Sequence, residues 1–148
     1  MKDTNKKMKD ANNNKEQLAL TKDQVDSVMG LYSSGKINEA IDAIKVLNEN
    51  YPNVPLLFNL LGACYNTLGQ LDAAAKMFET AFSIKSDYAE AYFNHGVVVR
   101  ELGQFDLAVE SYKTAIDLIP NYPEAHNKLG ITYIDLKPVS YTHLRAHE

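Results

Sequence analysis

The chain has 148 residues, of which 45% are hydrophobic and 23% charged, and this composition is that of a globular protein of about one domain. No apolar run approaches the roughly 18 residues of a membrane span, and the polar start of the chain lacks the apolar core of a secretory signal. Cys64 is the only cysteine, which excludes an intrachain disulfide, and we therefore expect a cytoplasmic protein.

The net charge of −4 is distributed unevenly. The first sixteen residues carry five lysines against three acids, whereas the rest carries ten Lys or Arg against sixteen acids. The acidic body argues against nucleic-acid binding, and we expect neither nucleic acid nor membrane as a partner. Residues 1–17 have too little apolar surface to offset the entropy of ordering, so we predict a disordered N-terminal segment.

Six of the seven glycines and three alanines recur at a step of 34 residues. These residues are Gly35, Gly69 and Gly103, then Gly62, Gly96 and Gly130, then Ala40, Ala74 and Ala108. A fixed period of this length is typical of repeat proteins built from helix–turn–helix units. The chain therefore divides into units at residues 21–54, 55–88 and 89–122, followed by a partial unit at 123–136.

The spacing of apolar residues by three or four predicts two amphipathic helices in every complete unit. First helices are predicted at about residues 21–34, 55–68, 89–102 and 123–136, and second helices at about 37–50, 71–84 and 105–118. The sequence thus predicts an all-α fold, an α-solenoid of stacked antiparallel helix pairs, over residues 18–136.

Local signals support these boundaries. The segments 21–24, 87–90 and 121–124 have the form of a capping box at the start of first helices. The glycine set that begins at Gly35 ends first helices, since glycine readily adopts the left-handed conformation. The set that begins at Gly62 lies inside first helices, where a missing side chain lets another helix approach. We expect the recurring alanines to form the opposing surface.

The repeat resembles the tetratricopeptide repeat, whose pattern is W-x2-L-G-x2-Y, then A-x3-F, then P. The matching residues are Phe58, Leu61, Gly62, Tyr65, Ala74 and Phe78 in one unit, Tyr92, Gly96, Ala108, Tyr112 and Pro120 in the next, and Leu129, Gly130 and Tyr133 in the last. The first unit departs from the pattern, with Val28 where the others have glycine. The resemblance covers about residues 21–136 and implies a right-handed superhelix of about three and a half repeats.

The repeat stops after Leu136, because Lys137 stands where the next glycine is due and Pro138 follows. Residues 138–148 resemble a translated sequencing-adapter fragment, and we interpret residues 137–148 as a tail unrelated to the array. The last helix then lacks its partner, so we expect exposed apolar side chains and self-association there. His143 and His147 have the spacing of a helical metal pair without the glutamate of the zinc-hydrolase motif, and we expect no metal.

The sequence contains no P-loop, dinucleotide fingerprint, nucleophile elbow or zinc-ligand cluster. Cys64 lies two residues from a close-packing glycine, and we predict a buried, inert thiol. His95 stands where other units have Leu61 and Leu129, and we predict a partly buried histidine with one hydrogen bond rather than a ligand. We therefore expect no enzyme, no catalytic residue and no cofactor.

The family resemblance implies that the first helices line a concave face that binds a peptide segment of a partner protein. Helical phase assigns to this face Asn59, Ala63, Asn66, Glu90, Phe93, Asn94, Val97, Arg100, Asn127 and Lys128. Asparagines could hydrogen-bond a peptide backbone. Glu90 and Glu124 would repel a carboxylate, which argues against the cationic clamp that one subclass of the family uses for a C-terminus.

Two functions remain open at this stage. The chain is either a non-catalytic interaction module or the N-terminal repeat part of a larger enzyme, such as a glycosyltransferase or sulfotransferase. The sequence of the intact gene beyond residue 136 separates them, since a few hundred further residues of α/β pattern would favour the enzyme.

Overall fold

The computed structural model describes the backbone of residues 19–146 and the side chains of residues 19–136. Predictions for residues 1–17 and for the side chains of His143 and His147 lie outside this part. The described part contains seven helices: α1 (Lys22–Ser33), α2 (Ile37–Asn50), α3 (Pro55–Thr67), α4 (Leu71–Ile84), α5 (Ala89–Glu101), α6 (Phe105–Leu118) and α7 (Pro123–Ala146). The predicted bounds are right to within one residue at every end except the end of α7.

The helices stack as antiparallel pairs, and each helix packs mainly on its neighbours in the chain. The first helices α1, α3, α5 and α7 also meet side by side, and we call their common surface the first-helix face. Polar pairs join neighbouring first helices across this surface, each linking residues 35 apart: Tyr32 with Thr67, Asn59 with Asn94, and Arg100 with Asp135. A separation of one repeat plus one residue shows that the units stack in regular register. The predicted all-α solenoid is confirmed.

The predicted capping boxes are right at the start of one first helix and wrong at two. Thr21 caps α1 through a complete capping box with Gln24. α5 instead begins at Ala89, after an N-cap residue, Tyr88, that makes no side-chain cap bond. The carbonyl of Asp87 accepts from the Ala89 amide at 3.1 Å, so Asp87 belongs to the preceding turn. α7 begins at Pro123, whose ring presets the φ angle of a first helical residue.

The stop glycines behave as predicted. Gly35, Gly69 and Gly103 have φ angles of +78°, +75° and +82°, where a side chain would clash with the backbone. After α5, the Gly103 amide donates to the carbonyl of Arg100 and the next amide, of Gln104, donates to that of Val99. These bonds satisfy carbonyls that the helix end would otherwise leave without a partner.

Gly62 and Gly96, inside first helices, face aromatic rings. A Cβ added at Gly62 would lie 2.6 Å from the ring of Phe78, and one at Gly96 would lie 2.6 Å from the ring of Tyr112. The ring four residues further along the second helix is therefore the nearest part of the opposing surface, and the role expected of the recurring alanine stays a prediction. A Cβ at Gly130 would meet nothing within 4 Å.

His95 is more deeply buried and better bonded than predicted. Its exposed fraction is 2%, and its Nδ1 lies 2.7 Å from the hydroxyl of Ser111. Its Nε2 lies 3.1 Å from a carboxylate oxygen of Glu79, which can only accept, so Nε2 carries the proton. One repeat earlier the positions of His95 and Ser111 hold Leu61 and Met77. An apolar pair is thus replaced here by the hydrogen-bonded pair of His95 and Ser111. Together with Glu79, this pair joins α4, α5 and α6.

α7 does not end near residue 136 as predicted but continues to Ala146. Lys137 replaces the glycine that ends the other first helices, and lysine favours the helix instead of stopping it. Helix continuation through Pro138 costs one backbone hydrogen bond. Within the described part of the chain, none of the helices combines the length and the apolarity that crossing a membrane requires.

Candidate functional site

Two adjoining cavities open on the first-helix face. The first, which we call the apolar cavity, has a volume of about 130 Å³. Its walls come from α1, α3 and α5, and the residues are Val28, Met29, Tyr32, Asn59, Leu60, Ala63, Cys64, Glu90 and Asn94. Its size is close to that of the roughly 150 Å³ cavity known to admit benzene, so it suits one apolar side chain.

The second, which we call the aromatic cavity, is a broader depression of about 390 Å³. It lies between α5 and the start of α7, and its residues are Glu90, Phe93, Asn94, Ile119, Tyr122 and Glu124. The rings of Phe93 and Tyr122 stack with centroids 5.3 Å apart and an angle of 30° between their planes. This cavity therefore combines aromatic surface with two carboxylates.

Glu90 and Asn94 border both cavities. They lie four residues apart on α5, and this spacing places both side chains on one face of the helix. The amide of Asn94 donates to the Asn59 side-chain oxygen at 3.0 Å, and Asn59 is only 3% exposed. The Asn59 side chain thus holds Asn94 in place instead of presenting its own amide to a ligand.

The charge on this part of the face is negative. Burial raises the pKa of Tyr122, and the carboxylates of Glu90 and Glu124 raise it further, so both act on the same hydroxyl. Burial raises the pKa of Tyr88 to about 12, assisted by Glu90 and opposed by the Asn59 side chain. Arg100 directs its guanidinium to Asp135, where both Nε and Nη2 contact one carboxylate oxygen.

The structure brings together five of the ten residues assigned to the face from helical phase. Asn59, Ala63, Glu90, Phe93 and Asn94 line one or both cavities. The other five residues line neither cavity. Two of these have evident structural contacts, Val97 against the core and Arg100 with Asp135; the remaining three are Asn66, Asn127 and Lys128.

The helical-phase assignment missed the walls supplied by α1 and by the turn before α7. Met29 and Tyr32 stand one repeat before Ala63 and Asn66, so the same phase applied to the first unit finds them. The helical-phase assignment did not include that unit, which departs from the repeat pattern at Val28. Ile119 and Tyr122 lie outside the helices, where helical phase gives no guidance.

Neither metal binding nor thiol chemistry finds support in this site. Among the described residues, no three His, Cys, Asp or Glu side chains are grouped so as to hold a metal ion. Cys64 is 1% exposed, and burial raises the pKa of its thiol, which disfavours the reactive thiolate. The prediction of a buried thiol is confirmed.

The fold and the face define the class of protein, an α-solenoid of helix hairpins that exposes one continuous surface of first helices. The family model described as "Tetratricopeptide repeat" matches residues 57–88, and that described as "TPR repeat" matches residues 98–136. The chain thus contains tetratricopeptide repeats at these residues.

One curated relative, a TPR repeat-containing protein of Methanocaldococcus jannaschii, is 34% identical over 59 residues. The match covers 40% of this chain and only 18% of that protein.

Solved structures share the fold. The TPR domain of Sgt2 from Aspergillus fumigatus superposes with a TM-score of 0.78 at 20% identity, covering 83% of this chain and 85% of that one. The first TPR of Spaghetti (RPAP3), bound to the HSP90 peptide SRMEEVD, gives a TM-score of 0.74 at 25% identity. That match covers 76% of this chain and 89% of the other.

Proposed function

We propose that the chain is a non-catalytic interaction module that binds a peptide segment of a partner protein on the first-helix face. The observation that carries the proposal is the pair of adjoining cavities on this face, one sized for an apolar side chain and the other aromatic and acidic. The similarity to the first TPR of Spaghetti, which is bound to a peptide, supports this proposal.

The absence of a catalytic role is part of the proposal. A general acid or nucleophile must reach its substrate, whereas the His95 ring is enclosed and both its nitrogens have protein partners. The Cys64 thiol is buried and protonated at neutral pH. These two side chains serve the core of the array.

The test is selection of binders from a random nonapeptide library displayed on beads, using the full chain. We expect binders to be retained by the wild type and lost by Ala63→Leu, because the larger side chain fills the apolar cavity. Ala63→Leu is a cleaner variant than Asn94→Ala, which would leave the buried Asn59 oxygen without its partner.

The control is Lys76→Ala, an exposed change on α4, away from the first-helix face. Circular dichroism verifies that each variant keeps its helices. A library that yields no binders, or binders that Ala63→Leu retains as well as the wild type does, would refute the proposal.

The alternative, a repeat segment at the start of a larger enzyme, is favoured by one observation. The matched part of the archaeal relative is 18% of its length, so repeats of this kind occur within longer proteins. The reading frame of the intact gene after residue 136 tests it. A following α/β domain would support the alternative, and a frame that ends after one or two further helices would exclude it.

A further inference from the structure

The aromatic cavity has the composition of a binding site for a cation. Glu90 and Glu124 approach the Phe93–Tyr122 stack from α5 and α7. The face of an aromatic ring attracts a cation, and a guanidinium can stack on a ring while it donates to a carboxylate. Rings and carboxylates in one depression favour the same ligand group for two separate physical reasons.

The lysines and arginines nearest in sequence to Glu90 and Glu124 do not pair with either carboxylate. Arg100 is paired with Asp135, and the Lys85 ammonium lies 5.1 Å from the centroid of the Tyr88 ring. Lys128 follows Glu124 by one helical turn but lies beyond ion-pair distance from it. Among residues 19–136, the carboxylates of Glu90 and Glu124 form no ion pair.

The two cavities share a wall, so one bound segment can fill both. Glu90 and Asn94 separate the apolar cavity from the aromatic cavity. Apart from these two residues and Asn59, the apolar cavity is lined by Tyr32 and by apolar side chains such as Val28, Met29 and Leu60. An extended peptide that crosses Asn94 would therefore place side chains of different character on either side.

We propose that the face recognises a basic and apolar peptide segment: an arginine or lysine lies on the Phe93–Tyr122 stack between Glu90 and Glu124, and an apolar side chain of the same segment enters the apolar cavity. This inference rests on the proposed function and specifies the chemistry of its ligand. It predicts selection against acidic segments, because a carboxylate of the peptide would be repelled by both glutamates.

The experiment sequences the binders selected from the nonapeptide library. We expect enrichment of arginine or lysine together with one large apolar residue. Blocked peptides with a single arginine and a single leucine separated by one to five serines then serve as defined probes, and their counterparts carry glutamate or leucine in place of the arginine. The best arginine probe is expected to bind at least about tenfold more tightly than either counterpart.

The double variant Glu90→Gln, Glu124→Gln is expected to weaken binding of the arginine probe by about tenfold or more and to remove its preference over the other probes. The double variant Glu49→Gln, Glu110→Gln makes the same change in net charge at exposed sites on α2 and α6, and it should bind like the wild type. Added salt should weaken binding of the arginine probe to the wild type and leave its binding to the first double variant nearly unchanged.

The outcomes separate this inference from the function on which it rests. Binders that Ala63→Leu loses but that show no enrichment of basic residues would overturn the basic–apolar ligand and leave the interaction module standing. A preference for wholly apolar or acidic peptides would likewise overturn only the basic–apolar ligand. So would an arginine probe that binds the double variant Glu90→Gln, Glu124→Gln as tightly as the wild type. A library without binders, or with binders that ignore Ala63→Leu, would overturn both.

Discussion

At the scale of single residues, the hydroxyl of Tyr112 has no hydrogen-bond partner within the described residues, although the side chain is fully buried. Burial raises the pKa of Tyr112 to about 12, with Arg100 opposing and Glu101 assisting, so the hydroxyl stays neutral at physiological pH. A buried polar group without a partner lowers stability. One repeat earlier, Phe78 fills the same place without a hydroxyl.

We expect Tyr112→Phe to raise the free energy of unfolding by about 1 kcal/mol, because it removes the unpartnered hydroxyl and keeps the ring on Gly96. Urea denaturation followed by circular dichroism measures the change. Phe78→Tyr is the matched control and should lower stability, since it buries a new hydroxyl in the preceding unit. A lower stability of Tyr112→Phe would contradict the prediction and indicate that the hydroxyl has a partner, such as a bound water.

At the scale of helices, glycine on a first helix and an aromatic ring on the second helix form one packing unit. The ring of Phe78 occupies the space left by Gly62, and Tyr112 does the same at Gly96. Glycine inside a helix costs about 1 kcal/mol relative to alanine, so close packing of the ring must compensate for it. At Gly130 no ring lies within 4 Å of the position of an added Cβ. Among the described residues, nothing therefore compensates for the helix propensity that this glycine loses relative to alanine.

The same substitution should therefore have opposite effects at different repeats. Gly62→Ala and Gly96→Ala are expected to lower the free energy of unfolding by about 1–3 kcal/mol, because the added methyl overlaps a buried ring. Gly130→Ala is expected to raise it by up to about 1 kcal/mol through helix propensity alone.

Thermal unfolding of the three variants beside the wild type measures these effects, and each variant is a control for the others. A loss of stability at Gly130→Ala would contradict the prediction, since it would mean that a side chain packs on this glycine.

At the scale of the whole molecule, α7 carries exposed apolar side chains. Ile134 is 64% exposed and Tyr133 is 39% exposed, although Lys113 lies over the Tyr133 ring at 5.9 Å. The second helix of a fourth unit is due after this point by the step of 34, but α7 continues there instead. The expectation of exposed apolar side chains is confirmed for these two residues, whereas the interpretation of residues 137–148 as an unrelated tail stays a prediction.

We expect the exposed side chains of α7 to drive self-association, because their burial against a second copy removes apolar area from water. Light scattering at several protein concentrations should show a mass that rises with concentration. Ile134→Glu should reduce this rise, and Val46→Glu, at a 56% exposed position on α2, should not. A constant monomeric mass for the wild type would refute the prediction.

The regular parts of the fold could be predicted from the sequence because their signals are local. A glycine with a positive φ angle ends the first helix in every complete unit, and apolar spacing identifies the buried side of each helix. Cap positions were less predictable, since Asp87 lies in a turn closed by backbone bonds, in which the Tyr88 amide donates to the Lys85 carbonyl and the Ala89 amide donates to the Asp87 carbonyl. The extension of α7 was missed because a single residue, Lys137, decides between a stop and a helix.

Only half of the residues assigned to the face line the candidate site, because helical phase tells which way a side chain points and not which side chains it contacts. Asn59 points toward the expected face but bonds to Asn94, and Arg100 points there but bonds to Asp135. Both partners lie 35 residues away in sequence on a neighbouring first helix. Tyr122 joins the site from a turn, by stacking on Phe93.

By itself, then, the sequence determined that this is an array of helix pairs with a period of 34, where its helices end with the exception of α7, and which of their sides are buried. Those properties follow from bonds and contacts within a few residues of one another. Only the tertiary structure decided that aromatic rings lie nearest to Gly62 and Gly96 and that Glu90 and Glu124 line one cavity with an aromatic pair. Such contacts join different helices, and their geometry depends on how the repeats stack.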